Sequence, residues 1–485
     1  MSGLYKKAGG TFILKFFGLG IAFIFQIVLG RILNPELYGE YTMYLTYSTV
    51  FSIITILGMD RNLIKEVARF EGDVTKEKSL LRFSTQTSLL ITIAVAGILL
   101  LLRGFIGFSN YGLLLLISMI VIRSMIAILD GYLQGKGNVV QVTLLNSVIN
   151  NILKMIFFVA LILLNVDSLS AAIFSFVLSE IITIFLRTTQ VSNILQIKTN
   201  SMLNLSLEEK RTFIKYSLTV ALISGIGLML QNIDKIMVST FLDLNRVGIY
   251  KVAQNYVSLI SVFVTPFIAF WPVISKLYNE NNIGQIESEM KRIVRIVTYL
   301  VVPMFFIFLF LGNDLLAIFG EAYVTNEAKL ALIILAFSFL IDAISGPIGS
   351  ILTMTKYAKL ALYNNIASLL INITLNFILI SRFGIVGVAI ATGISIIANN
   401  LISIIQVKLL LGIFSYDYRN LIQIITLSGF NFIITKMILH YLNLNSLYAN
   451  IIICGLLIYA INIALYCLLN FKYIKHCFVR RSKNK

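Results

Sequence analysis

Cationic side chains lie inside long apolar segments of this sequence, where a charge without a partner is costly. Lys15, Arg123 and Lys154 are cations of this kind in the first half of the chain. Guanidinium and ammonium groups suit the charge of a phosphate or an acidic sugar better than a hydrophobic drug or an inorganic cation. We therefore expect an anionic ligand in a polar lumen. The residues expected to line the lumen are Lys15, Arg123, Lys154, Asn150 and Gln231.

Carboxylates in similar segments are candidates for carrying an ion, because a bound proton or Na⁺ neutralises their charge. Asp342 is the first candidate, since it lies in the middle of an apolar segment. Glu180 is the second. Asp234 ranks third, because the adjacent Lys235 can neutralise it. We expect no cofactor and no metal, only coupling to H⁺ or Na⁺.

The same residues also permit a structural interpretation. Asp130 follows Arg123 by about two helical turns, so the two could form a buried ion pair. Stripes of asparagine, such as Asn146 with Asn150, often join helices to one another by hydrogen bonds. Because many segments contribute polar faces, we favour a hydrated central cavity over contacts between helices alone.

Catalytic and metal-binding patterns are missing from the sequence. It contains no P-loop, no G-x-S-x-G elbow and no H-E-x-x-H motif. Its histidines are His440 and His476, and its cysteines, Cys454, Cys467 and Cys477, all lie near the C-terminal end. This set provides neither a Cys/His metal site nor a disulfide framework. We therefore predict that the chain is not an enzyme.

Composition places these residues in a membrane. Of 485 residues, 58% are hydrophobic and 13% are charged, and the mean hydropathy is +0.91. A soluble domain carries roughly 25% charged residues, so this chain cannot cover its apolar mass with a polar shell. Lipid leaves the helix as the way to satisfy the backbone of a single segment. We predict an all-α polytopic membrane protein with fourteen spans, at 10–31, 40–59, 84–103, 110–133, 140–164, 168–187, 213–240, 247–274, 293–312, 328–353, 358–380, 384–407, 419–442 and 447–470.

The distribution of lysine and arginine predicts the orientation. With the N-terminus in the cytoplasm, the inner segments, which include 187–215, hold 28 of these residues and the outer segments hold 6. Both termini are then cytoplasmic. Most of the net charge of +17 follows from this asymmetry, so we expect no nucleic acid partner. The amphipathic segment Asp60–Arg69 is expected to lie along the inner leaflet, against anionic membrane lipids.

An internal repeat divides the chain. Leu33–Tyr41 and Leu242–Tyr250 each contain a leucine, a polar residue and Gly-x-Tyr at the same spacing, 209 residues apart. Leu169–Ile173 and Val386–Ile390 match after 217 residues. Six spans separate equivalent points, so the halves share one orientation and are related by a parallel pseudo-twofold, with a cavity between them. We predict a six-helix bundle at 1–195, a second at 196–412, and two extra C-terminal helices with a basic tail at 413–485.

These segments resemble a known family. Gly30–Tyr41, Asn232–Ser239, Val247–Ala253 and Phe383–Thr392 are similar to the polysaccharide-biosynthesis branch of the multidrug/oligosaccharidyl-lipid/polysaccharide exporters. The resemblance implies a flippase that moves an undecaprenyl-pyrophosphate-linked oligosaccharide, of the O-antigen type, to the outer leaflet of a bacterial plasma (inner) membrane. It also implies alternating access, a cationic lumen with Arg123 and Lys154, and an ion gradient as the energy source. Partners would be the lipid-linked oligosaccharide, a polysaccharide polymerase and a chain-length regulator.

Other functions remain open. A lipid II flippase of the same superfamily fits fourteen spans, whereas the twelve-span drug antiporters fit less well. An O-antigen polymerase or a lipid-sugar glycosyltransferase would need a large external loop or a soluble domain, and the predicted outer loops are short. A passive scaffold would not need charges at membrane depth. The sequence leaves open which glycan is carried and which ion is coupled.

Overall fold

The computed structural model describes residues 2–70, 72–101, 109–195, 205–414, 418–441 and 447–469, and its regular structure in these ranges is helical. Helices α1 to α8 are Ser2–Ile32, Pro35–Ile56, Met59–Arg69, Val74–Leu101, Asn110–Gly135, Val139–Leu163, Ser168–Leu195 and Leu207–Phe241. Helices α9 to α17 are Leu244–Ser258, Ile260–Phe263, Thr265–Asn279, Ile283–Phe319, Asn326–Ser345, Ile348–Thr353, Ala358–Leu411, Tyr418–Tyr441 and Leu447–Leu469. His476, Cys477 and the predicted basic tail lie outside the described residues, as does the side chain of Cys467.

The described residues of the fourteen predicted spans lie mostly in helices, which confirms the all-α polytopic class. Within the described ranges, 11 helices are long and apolar enough to cross a membrane alone. α2 adds a span when it is joined to α3, from which it is bent by 46°. α15 has 54 residues where a bilayer requires about 20, and its bend at Gly384 divides it into two predicted spans. The predicted span 247–274 is broken into α9, α10 and α11.

Local sequence determines both ends of α2. At its start, the side chain of Asn34 accepts a hydrogen bond from the backbone N–H of Leu37 at 2.8 Å, and Pro35 occupies the first helical turn. At its end, Leu57 and Gly58 have φ values of +50° and +70°. This left-handed pair stops α2 and turns the chain into α3.

The chain divides into two compact units, residues 1–251 and 252–485. In the first unit, helices α3 to α8 enclose an apolar core of Met59, Leu63, Val67, Leu80, Ile128, Tyr132, Leu133, Val142, Val191, Leu195 and Phe213. In the second unit, the extra helices α16 and α17 pack on α12, and Asn431 and Asn462 exchange two hydrogen bonds, at 3.0 and 2.8 Å. The predicted segment bounds at 195 and 412 stay a prediction, because packing rather than the repeat defines these units.

The amphipathic helix α3 contacts protein through its apolar face. Met59, Leu63 and Val67 are fully buried in the core of the first unit. Protein therefore occupies the face that could otherwise rest on the acyl chains of a membrane. The expected contact with lipid headgroups can therefore involve only the exposed side of α3. This side carries three cations, Arg61, Lys65 and Arg69.

The two repeat segments meet at their glycines. α2 and α9 cross so closely that a Cβ on Gly39 would overlap the carbonyl oxygen of Leu244, and a Cβ on Gly248 would overlap that of Pro35. The contact is reciprocal, because positions 35 and 244, like positions 39 and 248, are 209 residues apart. A twofold relation brings equivalent residues together in this way. The contact is consistent with the predicted repeat at these two helices, and the parallel relation of the two halves stays a prediction.

Candidate functional site

A buried carboxylate joins two helices of the first unit and lies near a third. Glu180 of α7 accepts a hydrogen bond from Nδ2 of Asn150 at 2.8 Å and lies 3.4 Å from Nζ of Lys154, both on α6. Arg123 of α5 is a second cation, with its guanidinium carbon 5.1 Å from the ring centre of Phe176. Nζ of Lys154 lies 4.7 Å from the same ring centre. We call Arg123, Asn150, Lys154, Phe176 and Glu180 the Glu180 cluster.

The Glu180 cluster carries more positive than negative charge. Its two cations, Arg123 and Lys154, interact with a single carboxylate. Nε of Arg123 is buried, and no described residue offers it a hydrogen-bond acceptor. A cation above an aromatic ring gains roughly 0.5–2 kcal/mol, which compensates only part of the cost of burying the charge. The cluster is therefore suited to accept a further anionic group beside Arg123.

A π-helical turn positions the amides of α6. Leu144–Ile149 forms this turn, and Asn150 follows it directly. Asn146, within the turn, donates to Oδ2 of Asp130 on α5 at 2.7 Å, whereas Asn150 donates to Glu180 on α7. In a regular α-helix, residues four apart lie on one face. The wider turn lets a single helix bind carboxylates of two neighbours, and such turns are frequent at functional sites.

Asp130 forms a second ion pair, with Arg187 of α7. Nε of Arg187 donates to Oδ1 of Asp130 at 2.6 Å, and Nη2 donates to the amide oxygen of Asn146 at 2.5 Å. The side chain of Arg187 is 0% exposed. The lysine and arginine distribution assigns Arg187 to the cytoplasmic segment 187–215, and this assignment stays a prediction; the structure shows that α7 continues through Arg187 to Leu195. The alternative that Asp130 pairs with Arg123 is wrong.

The spacing of charged residues along α7 is a sequence signal that could have identified Arg187 as a residue of the site. The lengths of the apolar segments do not contain this signal. Arg187 follows Glu180 by seven residues, about two helical turns, so both lie on one face of α7. The predicted span ended at Arg187, and an arginine at the end of a span is typical of a cytoplasmic boundary. Only the continuation of the helix beyond this residue shows that its guanidinium lies inside the protein.

The structure brings together three of the five predicted lumen residues. Arg123, Asn150 and Lys154 belong to the Glu180 cluster. Lys15 on α1 and Gln231 on α8 lie at exposed positions and do not belong to it. The assignment of all five to a lumen stays a prediction.

Asp234 and Lys235 of α8 are both buried. Oδ2 of Asp234 accepts a hydrogen bond from the hydroxyl of Tyr250 at 3.0 Å. Nζ of Lys235 donates to Oδ1 of Asn232 at 2.8 Å. Each charge therefore has a neutral polar partner within the first unit, which suits a structural role for this pair.

Asp342 of α13 lines a cavity of the second unit. Its Oδ1 accepts a hydrogen bond from Nδ2 of Asn400 on α15 at 2.9 Å. The cavity has a volume of about 450 Å³ and lies where α13 ends, at Gly346 and Pro347. Nowhere in the described structure do three or more His, Cys, Asp or Glu side chains converge on one metal site. One carboxylate beside amide oxygens suits a proton or Na⁺ instead.

The asparagine stripe of α15 mostly fills a contact between helices. Asn364 donates to Ser403 at 3.1 Å, and Asn372 donates to Thr392 at 3.2 Å. These bonds join the two halves of α15 across its bend. Amides of α6 bind charged side chains in the first unit, whereas these amides bind neutral ones. The structural interpretation therefore holds for most of this stripe, and Asn365, which lines the cavity, is an exception.

Comparison with known proteins identifies the family of the chain. Residues 4–278, more than half of the chain, match the polysaccharide biosynthesis protein family, and residues 220–378 match the MatE family. The chain is similar to a protein of Haloferax volcanii with the name "Probable low-salt glycan biosynthesis flippase Agl15". The two are 24% identical over 409 residues, which cover 82% of each chain.

Solved structures show the same fold. Lipid II flippase MurJ, in an inward closed conformation, superimposes with a TM-score of 0.73 at 17% identity, over 95% of this chain and 99% of MurJ. An inward-facing multidrug resistance MATE family transporter of the MOP superfamily gives a TM-score of 0.62 at 16% identity, over 85% and 96% of the two chains. The chain therefore belongs to the polysaccharide biosynthesis protein family.

Proposed function

We propose that the protein is a flippase that carries an undecaprenyl-pyrophosphate-linked oligosaccharide from the inner to the outer leaflet of a bacterial plasma membrane. The Glu180 cluster carries this proposal, because it holds two cations and one carboxylate inside a bundle of membrane-spanning helices. Family membership and the similarity to a glycan biosynthesis flippase support a transporter of this cargo rather than a catalyst. In the proposed orientation both termini are cytoplasmic, as the lysine and arginine distribution predicts.

In this proposal Arg123 and Lys154 bind the pyrophosphate. Phosphate oxygens can replace Glu180 as the partner of Lys154, and they supply the acceptor that Nε of Arg123 lacks in the described structure. Glu180 compensates part of the cationic charge while no cargo is bound. A cargo that binds this cluster more tightly in one conformation than in another shifts the protein between the two, which is the basis of alternating access.

An ion gradient is proposed as the energy source, with Asp342 as the first carrier. Asp342 lines a cavity and accepts a hydrogen bond from a neutral amide, so a proton or Na⁺ has access to its carboxylate. Glu180 is the second candidate, because Lys154 already compensates its charge. Asp234, bonded to the Tyr250 hydroxyl, is the third.

Removal of the two cations tests the proposal. Arg123→Gln and Lys154→Gln keep hydrogen-bonding capacity and remove charge. Each should slow the flipping of a fluorescent undecaprenyl-pyrophosphate oligosaccharide in proteoliposomes by at least about tenfold, since a hydrogen bond to a charged group contributes about 1.5–3 kcal/mol. Lys436→Gln is the matched control, because Lys436 is exposed on α16 and lies outside the cluster.

The two readouts of this experiment separate binding from stability. Normal flipping by both cluster variants at normal abundance would exclude the cationic lumen. Loss of abundance in both variants, with a normal Lys436→Gln control, would assign the cluster to stability alone.

A lipid II flippase is the second candidate, and the similarity in fold to MurJ favours it. Lipid II also presents a pyrophosphate, so the Glu180 cluster does not distinguish the two cargoes. The same proteoliposomes, prepared with either lipid, do distinguish them. Faster flipping of lipid II would assign the second function.

For the first function, a polysaccharide polymerase and a chain-length regulator are the proposed partners, since they act on the exported unit.

A further inference from the structure

The cavity that contains Asp342 lies at interruptions of the helical structure. α13 ends before Gly346 and Pro347, and the segment between α9 and α11 is interrupted at Val264. Non-helical backbone at membrane depth is tolerated where it is buried in protein or lines a polar cavity. The volume of about 450 Å³ falls within the range of small-molecule sites, roughly 300–1,000 Å³. Both features mark this cavity as a ligand site.

Amides and hydroxyls, rather than cations, line this cavity. Its polar side chains include Ser261, Asp342, Thr353, Asn365, Asn399 and Asn400. No lysine, arginine or histidine belongs to the described lining. A carboxylate without a cation repels a pyrophosphate, so the cavity does not suit the part of the cargo that fits the Glu180 cluster. It suits an uncharged polar ligand.

Some of these amides have unused hydrogen-bonding capacity. Oδ1 of Asn399 is buried and has no hydrogen-bond partner among the described residues. Nδ2 of Asn399 lies 3.5 Å from Oδ1 of Asn365, which is long for a hydrogen bond. An amide carries both donors and an acceptor, and so does a group of hydroxyls. The hydroxyls of a sugar can therefore satisfy groups that have no protein partner.

Trp271 of α11 adds an apolar surface at the same cavity. It is the single tryptophan of the 485-residue chain, and 38% of it is exposed. A saccharide ring presents an apolar face of C–H groups and a rim of hydroxyls. An aromatic ring next to amides and hydroxyls matches both parts of this surface.

We infer that this cavity, which we call the Trp271 cavity, binds a neutral sugar unit of the transported glycan. The inference rests on the proposed function for the identity of the cargo. The two polar sites then recognise different parts of it. The Glu180 cluster takes the pyrophosphate, which lipid-linked glycans share, and the Trp271 cavity takes a sugar, in which they differ. The Trp271 cavity thereby contributes to the choice of glycan.

The single tryptophan makes this binding directly measurable. Purified wild-type protein is titrated with glucose, galactose, mannose, rhamnose and N-acetylglucosamine while tryptophan fluorescence is recorded. At least one sugar should give a saturable change in the millimolar range and protect Trp271 from quenching by acrylamide. Asn365→Ala should weaken this binding by about fivefold or more, since it removes hydrogen bonds. Trp271→Phe supplies the blank, because no other tryptophan contributes.

Asn376→Ala is the matched control on the same helix. Asn376 donates to Oδ1 of Asn372 at 3.0 Å and does not line the cavity, so this variant should bind sugar as the wild type does. If Asn365→Ala does not fold, the acrylamide protection of the wild type decides the question alone.

The outcomes separate this inference from the proposed function. Flipping of the undecaprenyl-pyrophosphate oligosaccharide without any response of Trp271 to the sugars would overturn the inference and leave the proposed function intact. A response to Na⁺ or pH alone would assign the cavity to the coupled ion and would also overturn it. Sugar binding without flipping would support the Trp271 cavity and contradict the proposed function.

Discussion

Two arginines of the first unit, Arg187 and Arg123, differ in their partners. Arg187 forms an ion pair with Asp130 and a hydrogen bond with Asn146. Arg123 lies near a carboxylate that also pairs with Lys154, and its Nε has no acceptor among the described residues. A charge with a complete set of partners resists a new ligand, whereas an incomplete set accepts one. We therefore expect Arg187 to matter for stability and Arg123 for transport.

Arg187→Met should destabilise the protein, because it leaves the carboxylate of Asp130 buried without its cation. Loss of one partner from a buried ion pair costs about 3–5 kcal/mol. Thermal unfolding of the purified protein should show this loss, and the double variant Asp130→Leu/Arg187→Met should recover most of it. Arg246→Met is the control: Arg246 pairs with Asp243 at an exposed position, and such pairs contribute about 0–1 kcal/mol. Equal stability of Arg187→Met and Arg246→Met would contradict the structural role.

Asp342→Asn should arrest ion-driven transport and leave the fold intact. The amide resembles the protonated acid in shape, so it retains packing while it removes the charge that a proton or Na⁺ neutralises. Translocation in proteoliposomes is compared with and without an imposed H⁺ or Na⁺ gradient, and Glu180→Gln is measured in parallel. If transport does not depend on the gradient and neither substitution changes it, ion coupling is excluded. The protein would then facilitate flipping without an ion gradient.

At the scale of helices, glycine is required at two kinds of position: where two helices cross closely and where a helix is interrupted. α2 and α9 cross at Gly39 and Gly248 without room for a Cβ on either. α13 ends beside the Trp271 cavity at a glycine with φ of +85° followed by proline. Glycine is required for a different reason at each place. At the crossing it permits the close approach of two helices, and at the interruption it permits a left-handed backbone.

Gly39→Ala should destabilise the protein, whereas Gly20→Ala should not. Alanine is favoured over glycine inside a helix by about 1 kcal/mol. A Cβ on Gly20 of α1 would meet no described residue beyond its own helix, so this replacement should stabilise the protein. A Cβ at Gly39 overlaps the backbone of α9, so its replacement should lower both the melting temperature and the abundance in membranes. A stabilising Gly39→Ala would show that the two helices do not cross as described.

At the scale of the whole molecule, the two units differ in the groups that their asparagine amides bind. In the first unit, amides of α6 hold carboxylates that pair with arginine and lysine. In the second unit, Asn364 and Asn372 of α15 bind hydroxyls, and Asn400 of α15 binds the carboxylate of Asp342 in a cavity with no cation among its described lining residues. This difference supports the proposal of an anionic ligand for one unit and a neutral one for the other.

Cysteine labelling tests the orientation of the whole chain. In a background without the three natural cysteines, Asp73→Cys and Leu205→Cys should resist a membrane-impermeant reagent in intact cells, because both positions lie in predicted cytoplasmic segments. Asn165→Cys, in a predicted outer segment, should be labelled. Labelling of residue 73 or 205 from outside would reverse the proposed topology.

The sequence by itself determined the all-α membrane class of the protein, the position of most helical segments along the chain and the two equivalent glycine motifs. These depend on composition and on one-dimensional patterns: about 20 apolar residues cross a bilayer, and lipid requires a helix. The equivalent glycines at 39 and 248 were visible as a motif, and the structure shows them in contact. Four of the five residues of the Glu180 cluster, all except Phe176, were also predicted as site residues, since charges in apolar segments are rare.

Only the tertiary structure decided which charges pair and where a cavity opens. Asp130 lies on the predicted helix but pairs with Arg187, and the sequence had placed that arginine in a loop. Pairing depends on how neighbouring helices are rotated and on a π turn that moves Asn146 and Asn150 toward different partners. The Trp271 cavity is formed by segments far apart in sequence that meet at helix interruptions. Hydropathy locates a helix along the chain, but neither the rotation of that helix nor its neighbours can be read from hydropathy, because both depend on the packing of all the helices together.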